Sequence, residues 1–181
     1  MKMLLKIIVV VIAIVSVAAV IALFTRDKYT LARTIVVSKP VPVVFDFIKF
    51  NRNQRSYSKW LSLDPHTSID FKGAPDGTPG AIMTFASNDH KAGTGEWEIT
   101  KVDEDKRIDF ELRFLKPFAF TANGEFKTQS LANNQTQVTW TYHSGMNWPM
   151  NLMLLFLDMD KLVGKDIQTS LENLKFQLEK P

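Results

Sequence analysis

Polar and apolar residues alternate along a run of segments in the middle of the chain. In residues 107–114, Ile108, Phe110 and Leu112 fall on one side of an extended strand, and charged residues fall on the other. The same two-residue period, with turn residues between the segments, predicts strands over residues 66–72, 81–88, 95–102, 107–114, 118–127 and 137–144. Because the connections are short enough for hairpins, the six strands should form an antiparallel meander with one aromatic face and one charged, wet face.

The residues before this meander predict one more strand and two short helices. Residues 29–37 are rich in β-branched side chains, which favour an extended strand. Pro42 suits the first turn of a helix, so residues 43–50 should be helical. Residues 51–60 predict a second short helix, and no linker or internal repeat divides the chain after that point.

A long C-terminal helix is predicted to cover the aromatic face of the sheet. Asn147 followed by Pro149 is a helix-start signal, and only Gly164 interrupts the helical pattern from there to the C-terminus. A glycine inside a helix costs roughly 1 kcal/mol relative to alanine, so Gly164 should have a packing reason. The apolar face of this helix is formed by residues spaced 3 or 4 apart, namely Phe156, Met159, Val163, Ile167, Leu171, Leu174 and Leu178.

The N-terminal segment predicts a membrane anchor in residues 1–27, ahead of one domain in residues 28–181. Residues 7–24 are uncharged and, as a helix, would span roughly 27 Å, close to the thickness of the hydrocarbon core; residues 4–25 are the predicted membrane contact. A cleaved signal peptide is the competing interpretation. The apolar region exceeds the ~7–15 residues of a signal peptide and continues past the small residues Ala18 and Ala22, which favours a retained single-pass anchor.

The orientation of this anchor is not decided by its flanking charges. Lys2, Lys6 and the amino terminus lie on one side, and Arg26 and Lys28 lie on the other, so the positive-inside rule gives no clean answer. We favour a short N-terminus inside and the domain on the extracytoplasmic side.

Charge and cysteine content exclude several classes of partner and chemistry. The net charge of +3 resides in residues 1–26, because the remaining 19 basic residues are matched by 19 acidic ones. A nucleic-acid partner would need basic residues clustered on the folded part, so nucleic acid is not expected. The chain has no cysteine, which excludes disulfides, thiolate nucleophiles and cysteine-ligated metals.

The order of the predicted elements, together with several local motifs, carries a family resemblance. The motifs are Ser38-Lys39-Pro40 before the helix over 43–50, Trp60 followed by Asp64-Pro65, Gly93-Thr94-Gly95-Glu96-Trp97, Leu115-Lys116-Pro117-Phe118, Thr139-Trp140, and residues 159–175 with Gly164 and Asp166. A strand, two short helices, a six-stranded meander and a long C-terminal helix form the helix-grip arrangement. Over residues 28–180 the chain resembles the START-like, or SRPBCC, superfamily and within it the polyketide cyclase/dehydrase-like group.

This resemblance implies an α+β helix-grip fold with an apolar cavity between the sheet and the long helix. Members of the superfamily are carriers, cyclases or co-chaperone domains, so the resemblance specifies the fold more closely than the function. The transmembrane segment is an addition to the bare domain.

Catalytic and metal-binding patterns are weak in this sequence. The stretch Gly93–Gly95 leads into a strand and lacks the phosphate-loop pattern. His66, His90 and His143 are far apart, without the spacing of metal ligands. Alternation directs the carboxylates of the meander outward and leaves Tyr142 and Ser87 as the polar residues that face inward. We therefore predict no catalytic residue, no metal and no cofactor, and favour a protein that is not an enzyme.

The aromatic face predicts the lining of an apolar site. Its predicted lining residues are Trp60, Met83, Phe85, Trp97, Phe110, Leu112, Phe120, Trp140 and Tyr142. For Tyr142, a buried hydroxyl bonded to the backbone is favoured over a ligand contact. The partner predicted from this lining is an apolar small molecule or a lipid. Two alternatives remain: a cyclase-like or hydrolase-like enzyme, and a protein-interaction module with a filled core that uses a sheet edge or the polar region 133–135.

Overall fold

Seven antiparallel strands form one sheet in the computed structural model, which describes residues 2–180. The spatial order is β1-β7-β6-β5-β4-β3-β2, so β2 to β7 are a meander and β1 pairs with β7. The strands are β1 (Lys28–Val37), β2 (Ser68–Gly73), β3 (Ala81–Ala86), β4 (Thr94–Asp103), β5 (Arg107–Lys116), β6 (Phe120–Leu131) and β7 (Gln135–Gly145). The predicted α+β meander fold is confirmed.

The two faces of the sheet separate as the alternation predicts. On β5, Ile108 and Phe110 are almost fully buried, whereas the intervening Asp109 lies on the outer face in an ion pair with Arg107. Other ion pairs on this outer face connect neighbouring strands. Arg113 of β5 contacts Glu96 at 3.1 Å and Glu98 at 2.8 Å on β4. These carboxylates therefore serve the solvent-facing side of the sheet.

Two short helices lie between β1 and β2. Helix α2 (Val41–Lys49) begins two residues before the predicted start, with Pro42 in its first turn. The predicted helix over 51–60 is instead a 3₁₀ turn, Asn51–Asn53, followed by α3 (Gln54–Tyr57). The backbone N–H of Lys59 then bonds to Ser170 Oγ at 2.9 Å, which ties this region to the C-terminal helix.

The C-terminal helix is shorter than predicted. A separate 3₁₀ helix covers Met150–Leu155, and the last helix starts with a π-helical turn, Asp160–Gly164, before α4 (Lys165–Glu179). Asp158 caps this start, because its Oδ1 accepts the backbone N–H of Lys161 at 3.1 Å. The single helix predicted from Asn147 onward is therefore wrong.

Only part of the predicted apolar face of the last helix covers the sheet. Ile167, Leu171 and Leu174 are fully buried against the core, and Val163 is partly buried. Phe156 lies before the helix begins and is 85% exposed, so it does not belong to the covering face.

Gly164 is explained by an arginine on the inner face of the sheet. Arg33 of β1 pairs with Trp140, which places its side chain on the same side as that buried ring. Its guanidinium bonds to Asp160 Oδ1 at 2.7 Å and occupies the space where a Cβ on Gly164 would lie. Glycine at this position therefore lets a charged side chain pass under the first turn of the helix.

The N-terminal helix α1 (Lys2–Phe24) is long and apolar enough to span a membrane, a property that a signal sequence near the N-terminus shares. Its last turn packs on the Met150–Leu155 helix. Trp148 Nε1 donates to the carbonyl of Ala19 at 3.1 Å, and the buried amide of Asn151 donates to the carbonyls of Ala22 at 2.7 Å and Thr25 at 3.0 Å.

Substitution of Gly164 should reveal the contact with Arg33. In the natural chain, Gly164→Ala should be close to neutral, because the gain of up to ~1 kcal/mol in helix propensity is offset by displacement of the guanidinium. In an Arg33→Met background the same change should stabilise by about that full amount. Thermal unfolding of the full chain in lipid nanodiscs, followed by tryptophan fluorescence, measures both. Equal effects in the two backgrounds would exclude the contact with Arg33 as the reason for glycine.

Candidate functional site

A cavity of about 340 Å³ lies over one end of the inner sheet face. This volume is within the range of small-molecule sites in proteins, ~300–1,000 Å³. Its lining residues come from α3 and the residues after it, the central strands, two loops and the start of the last helix: Gln54, Ser58, Trp60, Leu61, Met83, Phe85, His90, Lys91, Ala92, Trp97, Leu112, Phe114, Pro117, Phe118, Phe120, Trp140, Tyr142 and Val163.

The cavity exists because the covering helix reaches only part of the sheet. Ile167, Leu171 and Leu174 fill the space over the β1 side, and Val163 is the residue of the last helical segment that reaches the cavity. The last helical segment begins at Asp160, so the aromatic face beyond Val163 is covered by α3, by loops and by Trp60. Trp60 contacts the edge of Trp140, with ring centroids 6.2 Å apart.

The structure places eight of the nine predicted lining residues around this cavity. They are Trp60, Met83, Phe85, Trp97, Leu112, Phe120, Trp140 and Tyr142. Phe110, the ninth, is not among the lining residues. That a ligand contacts these side chains stays a prediction.

The Phe110 ring lies flat against the inner face of the sheet, with the Trp97 ring stacked on it. The two rings stack with centroids 3.9 Å apart, and a second aromatic ring, Phe126, lies 5.7 Å away. Gly124 is the cross-strand partner of Phe110, and a Cβ at that position would collide with the phenyl ring. The missing side chain at Gly124 leaves room for the ring, so Phe110 packs against the sheet and Trp97 faces the cavity.

Ser87, one of the two polar residues predicted to face inward, is directed elsewhere. Its hydroxyl donates to Asp64 Oδ2 at 2.9 Å, and the backbone N–H of Asn88 donates to the same oxygen at 3.0 Å. Hydrogen bonds from the backbone N–H groups of Asn88 and His66 lower the pKa of Asp64. This carboxylate therefore fixes the turn of residues 87–93, and the expectation of an inward Ser87 is corrected.

Several cavity residues were absent from the predicted lining. Phe114 and Phe118 share the alternation of their neighbours, so the same pattern could have identified them. His90, Lys91 and Ala92 come from the turn between β3 and β4, whose position over the cavity depends on the Asp64 contacts. No local sequence signal indicates those contacts.

Two side chains of the wall, Trp140 and Tyr142, carry a polar group. Trp140 Nε1 is buried and has no hydrogen-bond partner among the residues that the structure describes. Burial raises the pKa of Tyr142, while the Ser144 hydroxyl beside it lowers that pKa, so the phenol stays neutral at physiological pH. The neutral hydroxyl of Tyr142 can bind an oxygen atom, whereas the Trp140 N–H is enclosed by protein and out of reach of a molecule in the cavity. Neither group is a ready proton acceptor.

The remaining chemistry of the site is limited. Within residues 2–180, the His, Asp and Glu side chains form no cluster of three that could hold a metal ion. Arg33 is a charged residue on the inner face that the alternation argument overlooked, and it pairs with Asp160 and does not line the cavity. His90 lines the cavity and is exposed to solvent.

Comparisons with known proteins agree with this geometry. The model of the family described as polyketide cyclase / dehydrase and lipid transport matches residues 29–179. No curated protein matches the chain.

Solved structures share the fold at low sequence identity. An Aha1 dimer from Colwellia psychrerythraea matches with a TM-score of 0.58 and 18% identity, over 83% of this chain and 96% of that one. A protein from Thermobifida fusca matches with a TM-score of 0.61 and 17% identity, over 82% and 92%. The di-domain ARO/CYC StfQ from the steffimycin biosynthetic pathway matches with a TM-score of 0.55 and 17% identity, over 82% of this chain and 44% of that one.

Phe110 is packed in the core and Phe120 borders the cavity, so loss of the two rings should lower the free energy of unfolding by different amounts. Phe110→Ala should cost roughly 3–5 kcal/mol, because it empties a fully packed position. Phe120→Ala, the same change on a ring that is 40% exposed beside the cavity, should cost clearly less. Thermal unfolding of the two variants gives the comparison. Similar losses at both positions would mean that the space over Phe120 is as tightly packed as the core.

Proposed function

We propose, from the premise that this chain belongs to the polyketide cyclase / dehydrase and lipid transport family, that it is a membrane-anchored binding protein for an apolar small molecule or lipid. The observation that carries the proposal is the cavity of about 340 Å³ under an incompletely covered aromatic face. In this proposal residues 1–27 are the anchor and residues 28–181 are the binding domain.

The binding energy in this proposal comes from apolar burial. The wall is built mainly from aromatic and aliphatic side chains, and its one lysine, Lys91, is exposed at the mouth. Each Å² of apolar surface removed from water contributes about 25 cal/mol. Since charge contributes little, affinity should depend weakly on salt.

The neutral hydroxyl of Tyr142 narrows the chemistry of the ligand. It belongs to the cavity wall and can form a hydrogen bond with an oxygen atom of a ligand. The Trp140 N–H adds no such contact, because the protein encloses it. The ligand that suits this site is mostly hydrocarbon and carries a carbonyl, ether or hydroxyl oxygen.

The contacts of α1 support a retained anchor over a cleaved signal sequence. Asn151 is 2% exposed. Its side-chain NH₂ group donates two hydrogen bonds, one to the carbonyl of Ala22 in the last turn of α1 and one to the carbonyl of Thr25 directly after it. Cleavage after Ala22 would disrupt the backbone that these bonds hold. We place the domain on the extracytoplasmic side of the membrane, as proposed from the sequence.

An enzyme of the cyclase or hydrolase type is the second candidate, and His90 is the observation that favours it. His90 is the one histidine on the cavity wall among the described residues, and histidine is the most frequent general acid or base in enzymes. It is exposed to solvent, however, and no second acid or base from the described residues lies beside it in the apolar part of the cavity. The third candidate, a protein-interaction module with a filled core, is disfavoured because the interior contains a cavity.

An apolar fluorescent probe should test the binding site directly. N-phenyl-1-naphthylamine should bind residues 28–181 with one site per domain and quench tryptophan fluorescence. Ala92→Leu adds volume inside the cavity and should weaken binding by about tenfold, or 1.4 kcal/mol. Ala86→Leu, the same change on an exposed residue of β3, is the matched control and should bind like the natural domain. Absence of stoichiometric binding to the natural domain would refute the proposal.

The anchor is tested by fractionation. The full chain should remain in the membrane pellet after alkaline carbonate washing, because α1 would be embedded in the hydrocarbon. The form that lacks residues 1–27 should be soluble and unfold cooperatively, since all seven strands and α2 to α4 start after that point. Release of the intact chain by carbonate, or a mature N-terminus near residue 23, would contradict the anchor and leave the binding proposal open to its own test.

A further inference from the structure

One end of the sheet carries the junction with α1 and the loops at the cavity mouth. Lys28, the first residue of β1, pairs with Gly145, the last residue of β7. Along the neighbouring strands, the pairings of β6 with β5 and of β4 with β3 place the loop of residues 117–119 and the turn of residues 87–93 at that same end. Neighbouring strands are ~4.8 Å apart, so the 117–119 loop lies roughly 10–15 Å from the line of β1.

The segment of residues 148–156 also starts at this end and reaches back along α1. The indole of Trp148 donates to the carbonyl of Ala19, which is five residues before the end of α1 at Phe24. At 1.5 Å per residue, this contact lies about 7–8 Å inside the apolar span. With α1 across a bilayer, Trp148 therefore lies at the level of the membrane interface, where tryptophan is enriched.

The side chains around this end are apolar and open to solvent. In the 148–156 segment Met150, Met153 and Leu155 are exposed, and Phe156 is 85% exposed. Phe118 of the 117–119 loop, which lines the cavity, is 78% exposed. Apolar side chains gathered in this way next to a membrane-spanning helix need a cover, and the bilayer that holds α1 is in reach.

We propose that the 148–156 segment and the 117–119 loop are embedded in the bilayer surface, so that the cavity opens onto the membrane and takes its ligand from it. This inference rests on the anchor of the proposed function. It deepens that function by naming the source: a molecule dissolved in the bilayer enters past Phe118 without crossing water. Residues 148–156 would then be a second membrane contact besides α1.

Charge does not explain attachment at this end. The basic residues Arg26, Lys28, Lys91 and Lys116 lie there together with the acidic Asp27, Asp64 and Asp89, so the two signs are mixed. Attachment should therefore depend on apolar burial and should occur on neutral phosphatidylcholine as well as on anionic lipid.

Single labels can locate this surface, because the chain has no cysteine. Phe118→Cys and Phe156→Cys, each carrying an environment-sensitive fluorophore, probe the 117–119 loop and the 148–156 segment in the full chain in phosphatidylcholine nanodiscs. Phe176→Cys is the matched control: Phe176 is 65% exposed and lies by the far end of β1, where the neighbouring Lys175 bonds to the carbonyl of Val36. Quenching by aqueous iodide and by a doxyl-labelled lipid is measured for each.

Labels at 118 and 156 should be quenched several-fold less by iodide than the label at 176, and several-fold more by the doxyl lipid. Equal quenching at all three positions overturns the proposal, because residues 118 and 156 would then be in water. Protection from iodide without quenching by the doxyl lipid also overturns it, because another protein, such as a second copy of the chain, would then be the cover. Carbonate extraction of the same labelled chains shows separately whether the anchor has failed.

The entry route has its own measurement in the same system. Phe118→Asp should slow the uptake of N-phenyl-1-naphthylamine from vesicles by roughly tenfold, since a carboxylate is disfavoured in the apolar region. Because Phe118 also lines the cavity, the affinity of the soluble domain with the same substitution is measured in parallel, and the uptake rate should fall by clearly more than the affinity. An unchanged uptake rate would exclude entry past this residue, whereas loss of binding by the natural domain would instead indicate failure of the proposed function.

Discussion

The rest of the structure depends on how much of the aromatic sheet face is covered. Seven strands present an inner face that is apolar except for Arg33, and burial of that face is the main source of folding free energy. The last helix covers only the β1 side, with Ile167, Leu171 and Leu174 fully buried. The rest of the inner face is covered by Trp60, by loops and by the start of that helix, and this looser cover leaves room for a cavity.

Two glycines decide the shape of this interior. Gly124 leaves room for the Phe110 ring to lie flat in the sheet, so that Trp97 stacks above it and forms the wall. Gly164 leaves room for Arg33 under the first turn of the last helix, where the guanidinium pairs with Asp160. In both places a missing side chain on one element determines where a large side chain of another element lies.

In the proposed arrangement, the junction with α1 places the cavity next to the membrane. Asn151 and Trp148 bond to backbone carbonyls at the end of α1, and these bonds orient the domain relative to the helix. The same end of the sheet carries the exposed Phe118 and the cavity mouth. A binding site for apolar molecules placed there has a short path to the solvent in which such molecules dissolve.

The sequence by itself determined the strands, the face on which most side chains of the meander lie, and the apolar N-terminal helix. These are local properties: successive residues of a strand point to opposite faces, so Ile108 and Trp140 could be assigned inward without any knowledge of their neighbours. Only the tertiary structure decided that the last helix begins near Asp160 and not at Asn147, that Phe110 leaves the cavity wall, and that Ser87 turns to Asp64. Each of these outcomes depends on a partner that is distant in sequence or in another element, and local periodicity carries no information about such partners.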